Sequence, residues 1–127
     1  MSYYLSKTVK DDFGAVVARV IEALRKEGFG VLTDIDVAAT MKAKLGADFR
    51  PYRILGACNP TMAHKALAIE DKIGVMLPCN VIVQQSGDGV EVAAVNPEAS
   101  IGRVGNPALG EAAAAVKAAL SRVVASF

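Results

Sequence analysis

The residues best suited to chemistry in this 127-residue chain are its only two cysteines. Cys58 closes the apolar run Ile54-Leu-Gly-Ala-Cys58 and is followed by Asn59-Pro60. Cys79 stands in Leu77-Pro-Cys-Asn80 and leads into Val81-Ile-Val83. Asn59 suits an N-cap and Pro60 a first helical residue, so Cys58 precedes a helix start. Free N–H groups there favour a thiolate and lower a cysteine pKa. If the two segments are neighbours, both sulfurs reach one spot, where they can form a disulfide or help to hold a soft metal. Asn59 and Asn80 could then offer amide groups to a ligand. The plainer reading makes each cysteine a small buried hydrophobe, Asn59 a cap and Asn80 a turn residue.

Other candidates are weaker. His64, the only histidine, falls in the second turn of the helix that follows Cys58, so a solvated role is expected and it is not counted as a metal ligand. Arg50 and Arg53 flank Tyr52 and could bind an anion, or simply mark a wet edge. Asp34 and Asp36 alternate on one strand face, where two carboxylates could act together or face water. No dinucleotide, P-loop, Gly-x-Ser-x-Gly or His-Glu-x-x-His motif occurs. No catalytic constellation is present, so a non-enzyme is the expected class. No cofactor is indicated, and two cysteines are too few for a zinc site built on thiols alone.

The elements that would position these residues follow from periodicity. Phe13, Val16, Val17, Val20, Ile21 and Leu24 form one helical stripe, which predicts a helix over 11–27, ended by Gly28. Thr8 with Asp11 resembles a capping box, Asp11 could itself cap, and Glu22 and Lys26 are spaced for an i,i+4 pair. Strands are expected over 2–9, 29–35, 49–57, 75–85 and 90–95. Pro51 suggests an edge or the beginning of the third strand, and the turn 86–89 joins the last two into a hairpin. A short helix capped by Asp36 buries Val37, Met41 and Leu45 and stops at Gly46. A third helix runs from Pro60 to about Glu70, and a last one from Pro107 to about Ala125, with Leu109, Ala113, Val116, Leu120 and Val123 in its stripe. The order β-α-β-(short α)-β-α-β-β-α argues an α+β fold: a largely antiparallel sheet of about five strands with helices on one face.

Bulk properties narrow the classes further. The length fits a single domain spanning residues 1–127, with a core that needs no disulfides. Fourteen basic residues against 13 acidic, scattered along the chain, leave no basic stripe for nucleic acid. No run of about 18 apolar residues could span a membrane, and the first residues lack a signal-peptide layout. The expected location is therefore the cytoplasm, where thiols stay reduced. At 53% apolar residues, the chain leans toward burying surface against a second copy.

Three segments together carry a resemblance: Ile54-Leu-Gly-Ala-Cys-Asn-Pro60, Leu77-Pro-Cys-Asn80 and Ala94-Val-Asn-Pro-Glu98. With Leu45-Gly-Ala-Asp-Phe-Arg-Pro-Tyr52, they resemble the signature segments of the domain of unknown function 302 family over almost the whole chain. The resemblance implies a small bacterial or archaeal α+β domain with a β-α-β4-α core, similar in outline to the TATA-binding-protein fold, and a homodimer. It implies no DNA binding and assigns no activity. Two functional readings follow. The first is a homodimeric ligand-binding or sensing module that is not an enzyme. The alternative is a thiol-dependent redox protein, or one binding a soft metal or cofactor through Cys58 and Cys79.

Overall fold

The computed structural model describes residues 2–127. Five strands form one sheet: β1 (Tyr4–Val9), β2 (Gly30–Asp36), β3 (Tyr52–Cys58), β4 (Cys79–Ser86) and β5 (Gly89–Val95). Their spatial order is β1-β5-β4-β3-β2, and every neighbouring pair is antiparallel. Helices α1 (Phe13–Lys26), α2 (Val37–Leu45), α3 (Pro60–Ile69) and α4 (Gly110–Ala125) connect or follow them. Set aside α2 and α3, and the order is β-α-β4-α, as expected of an α+β chain.

Helix α1 begins where a side chain satisfies its free N–H groups. Asp12, rather than Asp11, accepts from the Ala15 N–H at 3.0 Å, while Asp11 pairs with Arg19 at 3.1 Å. Val16, Val17, Val20 and Leu24 are buried, but Ile21 lies at the stripe's margin and is 37% exposed. Gly28 ends the helix at φ +86°, a conformation costly for side-chain-bearing residues. Glu22 pairs with Arg25, one residue closer than the expected Lys26, through two hydrogen bonds of 2.9 and 2.6 Å.

The core lies between the sheet and helices α1 and α4. Leu55 and Ala57 of β3, Val81 and Val83 of β4, and Val90 and Val92 of β5 are fully buried on the helix side. They alternate with residues on the opposite face, as a period of two requires. From α4 come Val116, Leu120 and Val123. Removing a side chain such as Leu24 or Leu55 from water stabilises the fold by about 1.5–3 kcal/mol. Every buried side-chain nitrogen or oxygen among the described residues has a hydrogen-bond partner.

Several boundaries differ from the sequence reading. The fourth strand starts at Cys79, not Val75; residues 71–76 form a 3-10 helix and Val75 is 84% exposed. Proline at 78 supplies no N–H to extend the ladder backward. Pro51 precedes an interior strand rather than marking an edge: β3 lies between β2 and β4, and the Pro51 carbonyl accepts from the Gln85 N–H at 2.9 Å. Residues Pro107–Leu109 make a 3-10 turn, and α4 proper begins at Gly110. Helix α2 buries none of its residues fully, so Val37, Met41 and Leu45 do not form the expected buried row. Leu45 is among the most exposed aliphatic side chains of the molecule.

Candidate functional site

The cysteines come first, because the sequence singles them out. Both are free. Cys79 opens β4 and is buried, and its cross-strand partner is Ala57. Cys58, at the end of β3, is therefore one position out of register with Cys79. The two do line a common crevice with Phe29, Met62, Leu77 and Val116, but its volume is about 20 Å³. That is room for about one water molecule and no ligand. Burial, with a smaller contribution from Cys58, pushes the Cys79 thiol up to about 11. This shift opposes the activation expected of a redox or metal-binding thiol. Among the described residues, no three His, Cys, Asp or Glu side chains converge as a metal would require. Cys58 and Cys79 are thus two unbridged cysteines beside a nearly filled crevice.

The asparagines separate. Asn59 caps α3, its side-chain oxygen accepting from the Met62 N–H at 3.2 Å. Asn80 is exposed and lines a different depression altogether. The arginines near Tyr52 also part. Arg53 is held by a two-pronged ion pair to Asp34, whose carboxyl this guanidinium keeps below its ordinary range. Arg50 lies over the rings of Phe49 and Tyr52, with its guanidinium carbon 4.6 and 5.6 Å from their centroids. Neither is an unpaired anion site. Asp34 and Asp36 likewise divide: one pairs with Arg53 and the other caps α2 by accepting from the Ala39 N–H.

A larger feature occupies the sheet face that carries neither α1 nor α4. It is a groove of about 450 Å³, within the range of small-molecule sites. Register places its parts in rows across the strands. One row runs Tyr52, Gln84 and Glu91 over β3, β4 and β5. The next runs Ile82 and Ala93 over β4 and β5. Tyr4 stands opposite Val95 at one side, and Asn80 opposite Gly56. The floor is apolar, and the walls are aromatic or amide-bearing. Gly56 is required here, because a Cβ would meet Thr33 Oγ1 at 2.1 Å and Pro78 Cγ at 2.8 Å.

A hydrogen-bond chain fixes the polar row. Arg50 donates to Gln84 Oε1 at 3.0 Å, and Gln84 Nε2 donates to Glu91 Oε1 at 2.7 Å. The Gln84 amide is thus oriented from both ends, so the row is set before any ligand arrives. A second cleft, about 300 Å³ between α1 and α4, offers less. Its Arg122 is taken by Glu27 at 2.9 Å, and its Arg19 by Asp11 and the Phe127 ring.

Sequence reasoning touched Asn80, Tyr52 and Arg50 separately and missed the groove that joins them. Its only signal was alternation: Gln84 and Glu91 interrupt otherwise apolar strands at positions facing away from the helices.

The profile of the family described as "Domain of unknown function DUF302" matches residues 5–127. The chain belongs to the DUF302 family. An uncharacterized conserved DUF302 protein from Bacillus stearothermophilus, solved by crystallography, is 30% identical, with 98% of each chain covered and a TM-score of 0.91. No curated protein matches this DUF302 chain significantly. Family membership therefore carries the fold and leaves the activity open.

Proposed function

We propose that this DUF302 chain is a single-domain, homodimeric ligand-binding module without catalytic activity, and that the groove on the open sheet face is its ligand site. The groove itself carries the reading: about 450 Å³, an apolar floor of Ile82 and Ala93, and polar groups held in place before binding. Pre-set donors and acceptors lower the cost of ordering a site around a ligand. Two further features support pairing with a second copy. Strand β2 is a seven-residue edge with Leu32 and Ile35 exposed, and α2 beside it has no fully buried residue. An open edge of this length is self-complementary under a two-fold axis. Two free thiols suit a reducing cytoplasm as the working compartment.

The test combines sedimentation equilibrium with a ligand-observed NMR screen of small aromatic and amide fragments. A dimer and fragments that bind the native chain but not Ala93→Arg, which fills the groove floor, are the expected results. A monomer at micromolar concentration overturns the pairing. Fragments that bind equally well to folded Ala93→Arg overturn the ligand site.

A further inference from the structure

We infer that the groove selects small organic cations, carrying an ammonium, amidinium or guanidinium group on a flat or apolar body; this rests on the groove being a ligand site. Among the described residues, Glu91 is the only charged one lining it. It is half-buried on an interior strand, and Gln84 engages Oε1 alone, leaving the carboxylate its second oxygen as an acceptor. Three tyrosines, Tyr3, Tyr4 and Tyr52, stand around the same space. Tyrosine faces attract cations, and they do so more strongly where water is partly excluded.

The molecule already displays this preference. The Arg50 guanidinium lies over Tyr52 and joins the same polar row through Gln84. It is a positive group from the chain itself, seated at the groove's end on the chemistry proposed for the ligand. Being exposed, Arg50 also opposes a second cation, so its charge tunes the affinity downward.

Isothermal titration with benzamidinium and with its neutral counterpart benzamide tests the inference. The native chain should bind benzamidinium about tenfold more tightly, in line with a partly desolvated cation on a ring and a carboxylate. Glu91→Gln should erase that preference, bringing the ratio of the two affinities to about one. Arg50→Gln removes the competing charge together with one end of the chain that orients Gln84, so the readout is the ratio of the two affinities, which should rise about two- to threefold in favour of benzamidinium. Equal binding of both probes by the native chain overturns the cation selectivity while leaving the groove as a site. A preference that survives Glu91→Gln, or an Arg50→Gln change of the opposite sign, also overturns it. Failure of both probes to bind at millimolar concentration overturns the groove reading and this inference together.

Discussion

On the helix side of the sheet, Leu55, Val81, Val83, Val90 and Val92 are fully buried. On the other side, the residues alternating with them include Ile82, Gln84, Glu91 and Ala93, and these line a groove joined by a hydrogen-bond chain. The same five strands thus carry two surfaces with different duties. One is uniform hydrocarbon, replaceable only by hydrocarbon of similar volume. The other mixes amides, aromatic rings and one carboxylate over an apolar floor. What the difference teaches is that a strand's two faces answer to separate pressures, and that the less regular face carries the polar and aromatic groups.

Substitution should separate the faces most sharply in stability. Leu55→Ala is expected to cost about 2–5 kcal/mol in urea unfolding, because it opens a cavity where the side chain is fully buried. Ile82→Ala, one face over and only half-buried, should cost about 1 kcal/mol or less. Equal losses would erase the distinction.

Cys79 sharpens the comparison from the covered side. With its thiol pushed up to about 11, its thiolate population at pH 8 lies about a hundredfold below that of an ordinary cysteine. Mass spectrometry after iodoacetamide treatment should therefore show Cys79 unmodified in the folded protein and modified once urea unfolds it. Rapid alkylation of the folded chain would contradict the buried placement.

Glycines give a smaller effect at the open face. Gly56→Ala should cost about 1–3 kcal/mol, because its Cβ would strike Thr33 and Pro78. Gly30→Ala, also on a strand but with nothing within 4 Å of the added Cβ, should leave the melting temperature unchanged or slightly higher.

The smallest effect belongs to the ion pair near the sheet's edge. Arg53 holds Asp34 below its ordinary pKa, with both side chains about a third exposed (31% and 34%). A depressed carboxyl contributes stability above its unfolded pKa and loses it as pH falls through the folded value. Asp34→Asn should cost no more than about 1 kcal/mol at pH 7. The difference from the native chain should shrink as pH falls below about 3.9.

Much of the fold was legible in the chain because its signals are local. The α1 stripe, the cap at Asn59 and the left-handed Gly28 and Gly46 each depend on residues within a turn or two. Boundaries shifted where neighbours in space decide them, as at Val75, whose apolar run forms no ladder. The candidate site was far less legible. Tyr4, Tyr52, Gln84 and Glu91 come from four strands, and only the pairing registers bring them together. The cysteines drew attention through matching local contexts, Asn after and Pro nearby. Register then set them one residue out of step, which a linear reading does not reveal.

The central claim is that ligands meet this DUF302 chain on the open sheet face and not beside its thiols. Backbone amide chemical-shift mapping with benzamidinium tests it most directly. The account predicts shifts concentrated at Asn80, Ile82, Gln84, Glu91 and Ala93. Shifts concentrated instead at Cys58, Met62 and Cys79 would contradict it.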